Sequence, residues 1–181
     1  MNEGLRAHPE IGCCGLECGL CPRYYTDGSS RCPGCGGAEF EQKHPSCGFV
    51  TCCVKKHSLE FCGQCGSFPC AKFANETGEK DSFVTHRNVA KNSSWIAEGG
   101  LDSLLAEQSA RRGVLEKLLG AYDEGRSKSF YCTACALLPL EILTSALEGM
   151  NGYTGNEPTK EMRARLESAG FILNIELKLR H

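Results

Sequence analysis

Cysteine density is the feature that most constrains how this chain can fold. Twelve of its 14 cysteines fall between positions 13 and 70. Four pairs have the CxxC spacing, three of them inside that stretch: Cys18/Cys21, Cys32/Cys35, Cys62/Cys65 and Cys132/Cys135. A CxxC turn lets two thiolates approach one metal ion and so provides half of a tetrahedral site. The spacing therefore predicts bound metal.

The composition of the first seventy residues explains why metal is needed there. Residues 1–70 hold few long aliphatic side chains and many Gly and Cys, so apolar burial cannot offset their chain entropy. The start MNEGLRAHPEIG lacks the pattern of a secretory signal, and no stretch reaches the ~20 apolar residues of a membrane span. A reducing compartment favours thiolate–metal sites over disulfides. We therefore expect a cytoplasmic zinc-binding protein without a membrane segment.

Charge bears on the class of partner. The formal net charge is -2 with every thiol counted as neutral, and each four-thiolate zinc site would add roughly two negative charges. An acidic protein is a poor nonspecific binder of nucleic acid. Arg23, Tyr24 and Tyr25 are the best candidates for stacking on a single strand, but the balance favours another protein as partner.

Four motifs resemble one known family. The motifs CGLECGLCPRYY, RCPGC, CGFVTCC and FCGQCGSFPCAKF are similar to the cysteine-rich family called domain of unknown function 3795. Ten cysteines match its pattern and are the candidate metal ligands: Cys14, Cys18, Cys21, Cys32, Cys35, Cys47, Cys53, Cys62, Cys65 and Cys70. Cys13, Cys52 and the Cys132/Cys135 pair lie outside it. The resemblance continues through His86 and EGRSKSFYC to the tail IELKLR, and it implies zinc without an assigned reaction.

Ten ligands predict at least two zinc ions. Pairing by proximity gives one site from Cys18, Cys21, Cys32 and Cys35, because the loop between those pairs is short enough to close cheaply. It gives a second site from Cys47, Cys53, Cys62 and Cys65, with Cys14 and Cys70 as alternates. Interleaved pairing, in which alternate segments share an ion, stays open because spacing does not exclude it. Cys132/Cys135 is either a third half-site or a pair of packed apolar thiols.

Several other residues could modify these sites. Adjacent side chains diverge, so in Cys13-Cys14 and Cys52-Cys53 we expect one cysteine to bind metal and the other to be a small buried apolar residue. Pro69 suits the first position of a helix, which would place Cys70 in its first turn. His44 and His57 flank the metal segment, and each could replace a cysteine as ligand.

The motifs argue against an enzyme. No GxSxG, HExxH or phosphate-loop pattern occurs, and sites made only of thiolates are normally closed and structural. Cys14, Cys18 and Cys21 also have the CxxxCxxC spacing of radical S-adenosylmethionine enzymes, but the chain lacks the repeated strand–helix units of their barrel. We therefore predict a structural or interaction protein. A redox or iron–sulfur protein is the first alternative, and a zinc-ribbon nucleic-acid binder is the second.

Periodicity gives the expected fold class. We predict an α+β protein in which a small irregular zinc-knuckle module, residues 1–78, packs on a mostly α-helical part, residues 79–181. The boundary is placed at Gly78. The tail FILNIELKLRH alternates Ile175, Leu177 and Leu179 with charged residues, which predicts a final strand. Its partner would be the region of Phe49 and Val50 or a second subunit.

Overall fold

Helices and turns build the fold. A computed structural model describes residues 4–74 and 79–180, and within those ranges it contains no β-strand. The α-helices are α1 (Phe40–Lys43), α2 (Ala71–Ala74), α3 (Val89–Ala97), α4 (Leu101–Tyr122), α5 (Lys128–Leu137), α6 (Leu140–Glu148) and α7 (Pro158–Ile172). The predicted α+β class is therefore wrong, because the described chain has no sheet.

The cysteine-rich part is held in short turns. They are the 3₁₀ turns Cys18–Leu20, Pro22–Tyr25 and Cys62–Gln64, and a π-helical segment, Val50–Lys56. Phe49 and Val50, expected to form a strand, instead lead into the π-helical segment. The expected boundary at Gly78 lies outside the described residues.

The main core lies between helices α4 to α7. It contains the buried side chains of Leu115, Leu118, Tyr131, Leu143 and Met162. Positions 115 and 118 recur at helical spacing, so both face the same side of α4. Helix α4 runs without a break through Gly113.

The C-terminal tail is irregular, which corrects the predicted final strand. After α7 it turns back so that the Ile175 amide donates to the Gly170 carbonyl at 2.8 Å. Ile175 and Leu177 pack on the main core, as their alternation suggests. The Arg87 guanidinium donates to the carbonyls of Glu176 and Lys178 at 2.6 and 2.7 Å. A side chain thus occupies backbone acceptors that a neighbouring strand would use.

The cysteine-rich part is interlocked with the helices. Leu20, fully buried, belongs to the main core. Ile11 and Phe61 form a second apolar cluster with Ile96 of α3 and Leu104 of α4. The packing fixes the cysteine-bearing turns against α3 and α4. Within the described ranges, no helix combines the length and apolar character that spanning a membrane requires.

Candidate metal centre

Three buried cysteines converge at the base of the cysteine-rich part. The Sγ atoms of Cys13, Cys53 and Cys62 all lie within 4.8 Å of one another. They come from three different segments: the loop before the first 3₁₀ turn, the π-helical segment and the turn Cys62–Gln64. The Cys62 amide donates to the Cys13 carbonyl at 2.7 Å, which ties two of these segments together.

Cys35 adjoins this group through Cys13, although its Sγ lies outside the set whose atoms are all within 4.8 Å of one another. Its Sγ accepts a hydrogen bond from the Cys13 amide at 3.4 Å, and it also hydrogen-bonds with the Cys13 thiol. Cys35 is 7% exposed, and the other three thiols are between 1% and 9% exposed. The four cysteines, named the four-thiol centre below, share the apolar cluster of Phe40 and Val50.

The four-thiol centre fits zinc. Tetrahedral coordination with Zn–S bonds of about 2.3 Å separates the sulfurs by about 3.8 Å, which the 4.8 Å limit among Cys13, Cys53 and Cys62 admits. Cys35 lies beyond that limit from at least one of the three, so its thiol would move closer to complete the set. Four thiolates form a closed donor set of the kind that structural zinc sites use. No disulfide joins any of the 14 cysteines, so none competes for these sulfurs.

Hydrogen bonds among the thiols shift their pKa values in opposite directions. Bonds to Cys35, Cys53 and Cys62 raise the pKa of Cys13. The bond from Cys13 lowers the pKa of Cys35 to about 6 and, with that from Cys62, lowers the pKa of Cys53 to about 4. Thiolate character therefore concentrates on Cys35 and Cys53, and thiolate is the form that binds metal.

Arg6 places a positive charge against this group. Its side chain is fully buried, and its guanidinium donates to the carbonyls of Ile11 and Cys35 at 2.6 and 3.1 Å. An ion pair with Glu60 at 3.2 Å orients the other nitrogen. The Arg6 charge contributes to the lowered pKa of both Cys35 and Cys53. Such a charge offsets part of the net charge of about −2 that zinc and four thiolates carry.

Helix α3 positions the loop that carries Cys13. The Ser93 hydroxyl donates to the Cys14 carbonyl at 2.7 Å, and the Asn92 amide donates to the Gly15 carbonyl at 2.9 Å. Both side chains are buried. These hydrogen bonds hold the loop's backbone against α3, and the Cys13 thiol points toward the four-thiol centre.

A buried carboxylate anchors the same loop further along. Glu17 accepts hydrogen bonds from Asn88 at 3.1 Å and Gln108 at 2.7 Å. Burial raises the pKa of Glu17, although these bonds and the charge of Arg111 oppose the rise. Arg111 in turn donates to the carbonyls of Cys135 and Leu138. The network connects the cysteine-rich part to α3, α4 and α5.

A second group of thiols surrounds Cys18. Burial, followed by repulsion from the nearby thiols of Cys35, Cys14, Cys21 and Cys32, raises the pKa of Cys18. Cys35 therefore adjoins both groups, and Cys18 lies near its expected partners Cys21, Cys32 and Cys35. Their assignment to a common metal site stays a prediction.

The remaining predicted ligands lie around the rim of the four-thiol centre. Cys65 and Cys70 line a cavity beside Cys53 and Cys62. Cys47 packs on the same apolar cluster and lines a separate groove with His44. The full set of ten ligands, Cys14 to Cys70, is thus spread over a larger region than one site, and its division among ions stays a prediction.

Three further residues from the sequence analysis have clear positions. Cys132 and Cys135 lie buried on successive turns of α5. Burial raises the pKa of Cys135 to about 12. Burial also raises the pKa of Cys132, and the nearby thiols of Cys135 and Cys21 raise it further. His57 lines the same cavity as Cys65.

Sequence reasoning missed Cys13 as a member of the centre. The resemblance placed Cys14 in the family pattern and Cys13 outside it, whereas the structure brings Cys13 within 4.8 Å of Cys53 and Cys62. The assignment of Cys14 as a ligand stays a prediction. Arg6 was also missed. The signal available was weak: an arginine near the start of a segment that would carry excess negative charge once metal is bound.

Comparison with protein families gives one match, in the cysteine-rich part. Residues 10–75 match a family described as a protein of unknown function (DUF3795). The match includes all ten cysteines of the resemblance and confirms it over that range. It ends before α3, so the resemblance of the helical part stays a prediction. No curated protein and no solved structure matches the chain.

Proposed function

We propose that this chain, whose residues 10–75 carry a domain of the DUF3795 family, is a zinc-binding structural or interaction protein. The observation that carries the proposal is the convergence of Cys13, Cys53 and Cys62 within 4.8 Å, with Cys35 bonded to Cys13. Zinc held there would join four segments that have little apolar area of their own. The metal is structural rather than catalytic.

Burial and donor type support a structural metal. A catalytic zinc ion keeps one position for water or substrate and is usually bound by histidine or carboxylate. The four-thiol centre offers only sulfur, and Cys13 and Cys53 are 1% and 4% exposed. Zinc binding would then stabilise a surface that a protein partner recognises. The many cysteines of this chain suit thiolate–metal sites, which a reducing compartment favours, so we place the protein in the cytoplasm.

Metal counting on serine variants tests the centre. Protein purified without oxygen should contain zinc, and Cys13→Ser and Cys35→Ser should each lose one ion. The double variant should lose the same ion and no more, because both sulfurs bind it. A matched control is Cys47→Ser, which lies outside the four-thiol centre and should keep that ion. A full zinc complement in Cys13→Ser would refute the proposal and favour pairing by sequence proximity.

An iron–sulfur cluster is the second candidate. Cys14, Cys21, Cys32 and Cys35 surround Cys18, and thiolates alone hold such clusters. The visible spectrum of the same anaerobic preparation distinguishes the two. A colourless protein with zinc supports the first proposal, whereas a brown protein with iron and acid-labile sulfide supports the second.

A further inference from the structure

An open groove lies on the surface of the cysteine-rich part, between the segment of residues 4–9 and the turn of residues 31–38. Its volume is about 420 Å³, within the range of about 300–1,000 Å³ that ligand-binding pockets occupy. Pro9, Pro33 and Ala38 provide an apolar wall. The groove is therefore large enough for a few side chains of a ligand and offers them apolar surface.

Hydrogen bonds between its two walls fix the shape of this groove. The Leu5 amide donates to the Gly36 carbonyl, and the Cys35 amide donates to the Pro9 carbonyl, both at 2.7 Å. The walls are so close that a Cβ added at Gly34 would collide with the Pro9 carbonyl oxygen. The groove is thus formed before a ligand arrives, which lowers the entropic cost of binding. Cys35 connects it to the four-thiol centre.

Tyr24 and Arg31 form the polar side of the groove. The Arg31 Nε donates to the Tyr24 carbonyl at 2.9 Å, and the Arg31 Cζ lies 5.4 Å from the centroid of the Tyr24 ring. Arg31 is exposed, and within residues 4–74 and 79–180 no carboxylate pairs with it. Its two terminal nitrogens therefore remain to donate to a ligand, and they form the fork that matches a carboxylate.

Arg31 is the cation that the groove offers to a ligand. Arg6 also lines the groove, but its side chain is buried and paired with Glu60. No carboxylate is among the described residues that line the groove. A polyanion such as single-stranded RNA needs several basic contacts along its backbone, and the chain has a net charge of -2. One carboxylate flanked by apolar groups fits this groove better.

We propose that the groove binds a short segment of a partner protein, with an aspartate or glutamate carboxylate on the Arg31 guanidinium and a neighbouring side chain against the Tyr24 ring. The inference rests on the proposed function, since it names the partner's chemistry and since Cys35 of the four-thiol centre holds one wall. Tyrosine and arginine are among the residues that dominate the affinity of protein interfaces. Arginine side chains are also the usual means of recognising acidic motifs.

Two synthetic peptide libraries test the inference on the chain purified without oxygen. Both contain capped hexapeptides randomised without acidic residues, except that the third position is glutamate in one library and glutamine in the other. The wild-type chain should enrich peptides from the glutamate library. The best of them should bind about 10-fold more tightly than its glutamine counterpart, and added salt should reduce that ratio. No enrichment, or equal binding of the paired peptides, overturns the inference.

Arg31→Gln distinguishes direct pairing from a change in fold. In this variant the paired glutamate and glutamine peptides should bind equally, while metal content and circular dichroism match those of wild type. Arg163→Gln is the matched control, because Arg163 also lies over an aromatic ring, that of Phe130 at 4.2 Å, but on helix α7. This control should keep the full preference. A preference for glutamate that survives in Arg31→Gln, or that disappears in Arg163→Gln, overturns the inference.

Photocrosslinking of the wild-type chain provides a measurement that needs no variant. The best peptide, synthesised with a photoreactive phenylalanine beside its glutamate, should crosslink to residues 4–9, 24 or 31–38, and mass spectrometry locates the site. Crosslinks elsewhere overturn the inference, as does hexauridine RNA that binds more tightly than the peptide. The proposed function fails separately, when Cys13→Ser retains every zinc ion. A chain that loses zinc in Cys13→Ser but binds no acidic peptide keeps the first proposal and removes the second.

Discussion

Arg6 shows how one residue can tune a thiolate centre from outside it. The guanidinium donates to the Cys35 carbonyl and forms an ion pair with Glu60. Its Cζ atom lies over the Phe61 ring, 4.8 Å from the ring centroid. The hydrogen bond with Cys13 is the main cause of the lowered pKa of Cys35 and Cys53, and the charge of Arg6 lowers both further. Metal ligands depend on such partners for their orientation and charge balance.

Replacing Arg6 should weaken metal binding without removing a ligand. We expect Arg6→Met to lower zinc affinity about 10- to 100-fold, the usual effect of losing a partner next to the ligands. Competition with a zinc indicator measures this. Arg31→Met is the control, because Arg31 is exposed in the same cysteine-rich part. Equal affinities for the two variants would contradict the role assigned to Arg6.

Residue identity predicted a cysteine cluster that could hold a metal ion, but it did not show which cysteines converge. CxxC spacing indicated many thiols near one another, and the structure places them so. Which member of Cys13-Cys14 enters the four-thiol centre depends on Ser93, which binds the Cys14 carbonyl from helix α3. That contact spans 79 positions in the chain. Local spacing contains no information about it.

At the scale of elements, helix α3 is the support for the turn Cys62–Gln64. Gly63 sits so close to α3 that a Cβ there would lie 2.5 Å from the Ser93 carbonyl oxygen and 3.0 Å from the Ala97 nitrogen. Both atoms are backbone and cannot rotate away. The absent side chain at Gly63 is what allows Cys62 to be held against the helix.

Gly63→Ala should therefore separate the turn from α3. Overpacking of this kind costs about 1–3 kcal/mol, and urea unfolding of the zinc-loaded chain measures it. Gly66→Ala is the matched control within the same motif, since nothing lies within 4 Å of its added Cβ. A change within about 0.5 kcal/mol is expected for that control. Similar losses in the two variants would argue against docking on α3.

The C-terminal tail is anchored by Asp81 instead of by a strand. Asp81 accepts hydrogen bonds from the Arg180 amide at 2.9 Å and the His86 amide at 2.7 Å. Burial raises the pKa of Asp81, but the hydrogen bonds and charge of Arg180 outweigh burial and hold this pKa below its ordinary range. The alternation in the tail correctly indicated which side chains face the core. It predicted a strand because periodicity does not reveal what binds the backbone.

Asp81→Asn should destabilise the chain in a pH-dependent way. Loss of charged hydrogen bonds costs about 1.5–3 kcal/mol at neutral pH. Because the folded pKa is depressed, the contribution of the carboxylate is complete above its unfolded pKa near 4. It is lost as pH falls through the folded pKa. Urea unfolding should show that the difference in unfolding free energy between the variant and wild type becomes smaller below about pH 4. Asp27→Asn, at an exposed position, is the control, and its unfolding free energy should stay close to that of wild type at every pH.

At the scale of the molecule, the cysteine-rich part and the helices share their cores. Composition predicted a metal-dependent segment followed by helical protein, but it did not predict how firmly the two are joined. Leu20 enters the main core, Ile11 and Phe61 pack on α3 and α4, and Glu17 is bound by Gln108. These are contacts between distant positions, and a single sequence gives no evidence of them.

Metal removal should nevertheless affect the two parts unequally. The core between α4 and α7 is built mainly from helical side chains, whereas we expect residues 10–70 to depend on metal for most of their folding free energy. Chelation should therefore expose residues 10–70 to protease while most of the helical circular dichroism signal persists. The melting temperature of the helices should fall, because Leu20 and Phe61 leave their clusters.

Two comparisons make the chelation experiment decisive. Returning zinc should restore protection of residues 10–70, and zinc-free Cys13→Ser should be cleaved in the same places as the chelated wild type. Mass spectrometry of the first fragments locates the cuts. Full protection of residues 10–70 after verified metal removal would mean that packing on α3 and α4 suffices to fold the cysteine-rich part. Loss of all helical signal would mean instead that zinc stabilises the molecule as one cooperative unit.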